Sequence, residues 1–486
     1  MSNQILNLEP KALWKHFYSL TQIPRPSKHE QAAVDFVVKF GEEHGLETIV
    51  DEVGNVVIRK PATPGMENRK GIVLQGHLDI VPQKNSDKQH DFEKDPIEAY
   101  IDGEWVTANG TTLGADNGMG VAAALAVLED KSLEHGLIEA LFTVDEETGM
   151  GGAFALKPGM LKGDILLNLD SEDEGELYVG CAGGVDANIE IPYKDEPTPD
   201  GLTFVKLSVV GLKGGHSGMD ISSGRSNSIK LLSRFLRYAD KEFGVRLSDM
   251  DGGSLKNAIP REAIAIVGVP TSKVSDFEKA AAEHLKIFKN EFSLVEPDID
   301  IKIDKVDAPK TVIDKKSQKG AINAVFACPN GVIRMSDAMP GLVETSTNLA
   351  RIYFEDGKVK LQALLRSSVD SAKDALSERI ASVFELAGGT VEFEGAYPGW
   401  KPNMDSPILK VMSDIYKKNW DKTPEIKAIH AGLECGILGG VYPNLDMISF
   451  GPTIRYPHSP DEKVKIDTVD KFWKFLVQAI KNAPEK

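Results

Sequence analysis

Residues 71–79, Gly71-Ile-Val-Leu-Gln-Gly-His-Leu-Asp79, carry a short apolar run that ends on an imidazole and a carboxylate. A run this short, with little polar alternation, fits a strand buried on both faces that delivers His77 at its end. Upstream, residues 31–43 show apolar residues at helical spacing, and residues 54–59 read as a strand after a turn. Downstream, residues 118–128 (GMGVAAALAVL) predict a small-residue helix that packs closely on a sheet. Residues 137–144 and 164–169 predict further strands. Strands alternating with helices, with acids and a histidine at strand ends, form an α/β pattern whose site lies beyond the strands' carboxyl ends.

The proline-rich polar stretch Ile191-Pro-Tyr-Lys-Asp-Glu-Pro-Thr-Pro-Asp200 reads as a linker. After it come strand-like segments at 202–210, 263–267 and 358–365, and helical ones at 227–238, 272–292 and 370–386. These predict a smaller α+β layer. Composition shifts again near Gly395-Ala-Tyr-Pro-Gly-Trp400. A helix at 407–419, a strand at 447–450 and an amphipathic helix from Thr468 are expected to rejoin the first domain. The expected division is therefore 1–188 with 396–486 for one domain, and 189–395 for an insertion.

A chain of 486 residues exceeds one ordinary core, and 41% hydrophobic with 27% charged residues is ordinary for a globular protein. The formal charge of −17 argues against a nucleic-acid partner, which needs a basic stripe. Cys181, Cys328 and Cys435 are few and far apart, with no Cys-x-x-Cys, which disfavours a disulfide framework or a thiolate zinc knuckle. The opening Met-Ser-Asn-Gln lacks the design of a signal peptide, and no apolar run approaches the ~20 residues that span a bilayer. The expectation is a cytoplasmic protein with no membrane partner.

The chemistry gathers around Glu146-Glu147 in Thr143-Val-Asp-Glu-Glu-Thr-Gly-Met150. Adjacent buried acids repel, so a cation must hold them or one must carry a proton. A metal centre lets one act as ligand and the other as proton shuttle. His77 and Asp79, two residues apart, project to the same side of a strand end, which suits a histidine ligand oriented by a carboxylate. A surface turn is the plain alternative. Asp116 in Gly114-Ala-Asp-Asn-Gly118 suits close backbone approach to an ion, or simply a helix N-cap. Asp170 follows a strand, and His458 sits in a loop whose flanking prolines limit its freedom. Together His77, Asp116, Glu147, Asp170 and His458 make a nitrogen/oxygen set suited to two zinc-like ions with one carboxylate bridging. Competing motifs fail. His29-Glu30 has no second histidine at zinc-helix spacing, no Gly-Lys-Ser/Thr is present, and Met219 stands where a nucleophile elbow needs glycine.

The runs GHLDIVPQ, GTTLGADNGMG, DEETGM, LNLDSEDEGE, GLKGGHSG, NAIPREA, HAGLECG and GPTIRYPHSPDE resemble the dizinc metallopeptidase family of carnosinases, aminoacylases and tripeptidase T. Within it they are most similar to the bacterial aminoacyl-histidine dipeptidases, over essentially the whole chain. The resemblance implies an α/β catalytic domain, a mixed sheet flanked by helices, with an inserted α+β lid and dimerisation domain. It makes Asp116 the bridging carboxylate. His77 and Asp170 would complete one metal site, and Glu147 with His458 the other. Glu146 would be the general base and Asp79 the acid that orients His77. A cis peptide bond at Asp116-Asn117 is also implied.

His216 would help stabilise the oxyanion, in its own site or a partner subunit's. Asn257 and Arg366 would contact substrate, Arg366 as the bidentate partner of the dipeptide's carboxylate. Gly432 and Glu434 would line the pocket. The implied cofactors are two zinc ions per subunit, with manganese or cobalt as substitutes, in a homodimer formed through the lid. The implied activity is hydrolysis of dipeptides, preferentially Xaa-His and including carnosine-like ones, by water held between the ions. Deacylation of N-acyl amino acids on the same centre is the rival chemistry. A non-catalytic metal-binding dimer scaffold is the alternative outside enzymes.

Overall fold

The computed structural model describes residues 2–486. The chain forms two compact units. One holds the chain up to Cys181 together with Trp400–Ala428 and Leu433–Lys486, and the other holds Ala182–Gly399 with Ile429–Gly432. The chain thus changes unit at Cys181/Ala182 and Gly399/Trp400, not at 188/189 and 395/396, and the short piece 429–432 goes with the insertion.

The first unit is built on an eight-stranded mixed sheet. Its strands run Glu47–Val50, Val56–Lys60, Ile138–Thr143, Ile72–His77, Ile165–Asn168, Asp446–Ser449, Glu176–Cys181 and Glu425–Ile429 in spatial order. The four in the middle are parallel, with Ile72–His77 between Ile138–Thr143 and Ile165–Asn168, and Asp446–Ser449 beyond. Ile72–His77 and Ile138–Thr143 are buried at every residue, as their near-continuous apolar sequence requires. Parallel pairing brings the ends of all four strands to one edge of the sheet.

The helix Ala115–Glu129 packs on Ile72–His77 and Ile138–Thr143 and is buried over most of its length, which its alanines and glycines permit. Asp116 (φ −81°, ψ 111°) and Asn117 (φ −104°, ψ 33°) interrupt its first turn, so regular helical backbone runs from Gly118, where the small-residue run begins. The Asp116-Asn117 peptide bond is cis.

The second unit carries an antiparallel sheet. Its strands run Asp300–Lys305, Leu202–Val210, Ala263–Pro270, Arg246–Gly252, Val343–Glu355, Lys358–Ser367, Gly183–Pro192 and Thr390–Tyr397, with Gly331–Met335 also paired to Val343–Glu355. Helices Ser228–Phe243, Val274–Phe292, Lys315–Ala327 and Asp370–Glu385 share its core, where Leu207, Phe235, Val267, Phe277, Leu361 and Phe384 are buried.

The linker expected at 191–200 is absent. Ile191 and Pro192 finish the strand Gly183–Pro192, where Ile191 is buried, and Asp195–Pro197 pairs with Thr311–Ile313. Proline is tolerated at a strand terminus and in a short edge ladder, so its clustering there does not mark a free segment.

Candidate metal centre

Each of the four parallel strands delivers a polar residue near its carboxyl end: Gln75, Thr143, Asn168 and Ser449. All four are buried, and they form a hydrogen-bonded row. Ser449 Oγ donates to Asn168 Oδ1 (2.5 Å), Asn168 Nδ2 to Gln75 Oε1 (2.5 Å), and Gln75 Nε2 to Glu434 Oε2 (2.5 Å), which also accepts from Thr143 Oγ1 (3.0 Å). Every member of the row has a partner, which makes its burial affordable in an apolar sheet.

Beyond the row stand the residues singled out from sequence. His77 Nε2 lies 3.1 Å from Asp116 Oδ1 and 3.3 Å from Asp170 Oδ1. His458 Nε2 lies 3.3 Å from Asp116 Oδ2 and 2.9 Å from Glu147 Oε2. The two oxygens of Asp116 therefore face two different imidazoles. His77, Asp116 and Asp170 form one group of potential ligands, and Asp116, Glu147 and His458 another, each with its ligand atoms within 4.8 Å of one another. His77, Glu146 and Glu147 meet the same criterion.

Asp79 contacts more than His77. Its carboxylate accepts the backbone N–H of Glu146 (3.0 Å) and of Glu147 (3.1 Å), and the hydroxyl of Ser27 (2.8 Å). It lies 3.4 Å from His77 Nδ1, which is also 3.2 Å from the Asp79 carbonyl oxygen. The acid pair at 146 and 147 is thus held through its backbone by the acid at 79.

The electrostatics ask for a cation. Burial pushes Asp170 up to about 7, assisted by repulsion from Asp116 and opposed by His77. Burial likewise raises Glu146 well above the ordinary carboxylate range, with Asp170, Glu434 and Glu147 adding to it against the pull of His77. For Asp116 the effect of burial is outweighed by hydrogen bonds from His458 and His77, which hold its carboxyl below that range. Hydrogen bonds to Asp116 and Glu147 push His458 up to about 11. Among the described residues no lysine or arginine pairs with Asp116, Glu146, Glu147 or Asp170, so the histidines alone stand in for positive charge. Glu147 Oε1 and Asp170 Oδ1 are buried without a hydrogen-bond partner. Uncompensated carboxylate oxygens beside imidazoles are the donor set that a divalent ion takes, so the residues fit a metal centre.

The remaining candidates fall in the second unit, apart from Glu434. His216 lies in the short strand Gly215–His216, paired with Ala258–Ile259, and its Nδ1 accepts the amides of Gly218 (3.2 Å) and Met219 (3.0 Å). Burial and Arg366 lower its pKa. Arg366 is buried, and its Nη1 donates to Tyr397 Oη (3.3 Å), while its Nε has no partner and no acid forms an ion pair with it among the described residues. His430, which bonds Ser346 Oγ at 2.7 Å, belongs with this group, since Arg366 and His216 both depress it. Asn257 is exposed and gives its carbonyl to the Ser217 amide (2.8 Å), and Gly432 is half-buried.

Sequence reading passed over Arg25, Glu462, the polar row and His430. Their types carry no motif by themselves, and Glu462 was visible only as the last letter of GPTIRYPHSPDE.

Residues 73–482 match the sequence profile described as Peptidase family M20/M25/M40. The chain belongs to that family. Membership implies a peptidase that uses divalent metal. The chain is 48% identical, over 100% of both sequences, to the cytosol non-specific dipeptidase of Escherichia coli (strain K12). It is 50% identical to the aminoacylhistidine dipeptidase of Vibrio alginolyticus, whose crystal structure superposes with a TM-score of 0.97 over 100% of each chain. Aminopeptidase PepT of Bacillus cereus shares the family fold alone, at 17% identity and a TM-score of 0.57 over 98% of each chain. The mixed catalytic sheet with an inserted α+β domain is thus the fold of this family.

Proposed function

We propose that this protein is a dinuclear metallodipeptidase that hydrolyses dipeptides, with Xaa-His dipeptides, carnosine among them, preferred. The observation that carries the reading is Asp116, whose two oxygens each face a different histidine-containing ligand group. A carboxylate so placed would be shared between two ions, one in each group. His77 and Asp170 would hold one ion with it, and Glu147 and His458 the other. Zinc is the proposed metal, with manganese and cobalt as substitutes. Bound divalent ions would polarise the peptide carbonyl and acidify the attacking water.

The chain's own residues move the protons. Glu146 takes the proton from water on its carboxylate and returns it to the leaving amine nitrogen. Glu147 would help hold a metal ion, leaving Glu146 free for proton transfer, and Asp79 fixes both acids through their amides. His216, with Nδ1 already accepting two amides, carries its proton on Nε2 when neutral, and that N–H is suited to the developing oxyanion, in its own site or a partner subunit's. Arg366, a buried guanidinium without an acid, is suited to the substrate's terminal carboxylate. Asn257 is proposed to contact substrate, and Gly432 and Glu434 to line the pocket. A homodimer formed through the second unit is also proposed. The name of the Escherichia coli relative supports a cytosolic location, and no helix among the described residues is long and apolar enough to cross a membrane.

Carnosine, other Xaa-His dipeptides, unrelated dipeptides and acetylated amino acids, assayed with zinc, manganese and cobalt before and after chelation, test the reading. Chelator-sensitive dipeptide cleavage is expected, and preference for acetylated amino acids would instead establish a deacylase. Glu146→Gln is expected to keep its metal and lose roughly 10²–10⁴-fold in turnover. Near-normal turnover in the metal-replete variant would sink Glu146 as the base.

A further inference from the structure

Glu462 is buried in the first unit, four residues beyond His458, and its carboxylate is fully engaged. Oε2 accepts the amides of Leu113 (2.7 Å) and Gly114 (2.9 Å), and Oε1 accepts those of Ala115 (2.8 Å) and Asp116 (3.1 Å). Four consecutive N–H groups on one carboxylate require the backbone to curl around it. Gly114, at φ 72°, supplies the left-handed residue that the curl needs. The glutamate's own backbone is pinned as well, since its carbonyl accepts Thr107 Oγ1 at 2.7 Å and its amide donates to the Ser459 carbonyl.

Arg25 ties the same loop to the strand end. Its buried guanidinium donates to the carbonyls of Leu78 (2.7 Å), Asp79 (3.3 Å) and Gly114 (2.7 Å). Three segments that bear proposed ligands, those of His77, Asp116 and His458, are therefore joined by bonds that involve no metal.

We propose that Glu462, supported by Arg25, is a positioning residue for the metal centre: it latches the loop of Asp116 to the loop of His458, so that two ligands of one ion stand at their spacing before the ion arrives. This rests on Asp116 and His458 being ligands. Metal affinity then includes little cost for ordering those loops, because the carboxylate has already ordered them. In Glu462→Gln one oxygen becomes an N–H donor facing amide donors, so two of the four amides lose their acceptor. Glu462→Asp keeps the charge but draws it back by one methylene.

Two measurements on the full chain decide the matter. Hydrogen exchange of residues 113–116 in metal-free wild type should already show protection, and zinc should add little to it. Calorimetric titration with zinc should find Glu462→Gln binding 10- to 100-fold more weakly, the range typical of residues that orient ligands, with Glu462→Asp between it and wild type and far-ultraviolet circular dichroism unchanged. Protection that appears only with metal would overturn the proposal, as would wild-type zinc affinity in a folded Glu462→Gln that has merely lost thermal stability. If Glu462→Gln does not fold, the wild-type exchange result decides by itself. Wild-type protein that takes up no zinc would overturn the ligand reading instead, whatever the exchange shows.

Discussion

Replacing Asp79 by asparagine separates two accounts of what this acid does. As the partner of His77 alone, it should affect only metal binding. The structure gives it two further bonds, from the amides of Glu146 (3.0 Å) and Glu147 (3.1 Å), and a third from Ser27 Oγ (2.8 Å). Asparagine keeps one acceptor oxygen, which can take the Glu146 amide at the place of Oδ1. Its Nδ2 then stands at the place of Oδ2, where Ser27 can turn to accept from it but the Glu147 amide cannot. One buried N–H is orphaned, at about 1–3 kcal/mol, and the charge assistance to the Glu146 bond is lost, so the loop should weaken by about 2–3 kcal/mol. At 1.36 kcal/mol per decade this makes exchange of the amides at 145–148 roughly 30- to 150-fold faster. Hydrogen exchange read by mass spectrometry on metal-free protein measures this without interference from the ions. Unchanged exchange at 145–148, with zinc affinity alone reduced, would refute the backbone role and return Asp79 to orienting His77.

Two other consequences follow from residues outside the ligand set. Burial, then Arg366 and His216, lower His430 to about 4, below an unfolded value of about 6.5, so the folded state keeps it neutral. Its contribution to stability is therefore complete above about pH 6.5 and is lost as pH falls toward 4, by about 2 kcal/mol between pH 7 and pH 5. Urea unfolding at the two pH values should show a smaller drop for His430→Gln than for wild type, and equal drops would remove His430 as the cause. Gly451→Ala would set a Cβ 1.8 Å from the Ser171 carbonyl oxygen, a backbone atom that cannot swing aside. A loss of about 3 kcal/mol or more is expected as a lower thermal midpoint, and a wild-type midpoint would contradict the packing there.

The sequence by itself determined the kind of sheet and most of the donor set. Unbroken apolar runs at Ile72–Leu74 and Ile165–Leu167 fit strands buried on both faces, as in an α/β sheet covered by helices. Acids and histidines at the ends of such runs have nowhere to go but the sheet's edge, so His77, Glu146, Glu147 and Asp170 were legible as a group. Local signals failed where the outcome depended on partners remote in the chain. The prolines near 192 and 197 carry the composition of a linker, yet pairing with Lys358–Ser367 and Thr311–Ile313 makes them strand. Only the tertiary structure decided that one oxygen of Asp116 faces His77 and the other His458, because that depends on a loop more than three hundred residues downstream. It also decided that Asp79 holds the Glu146–Glu147 backbone and that Glu462 gathers four amides. A carboxylate's role is set by the donors that surround it, and those donors are backbone groups, which every residue possesses and no sequence displays.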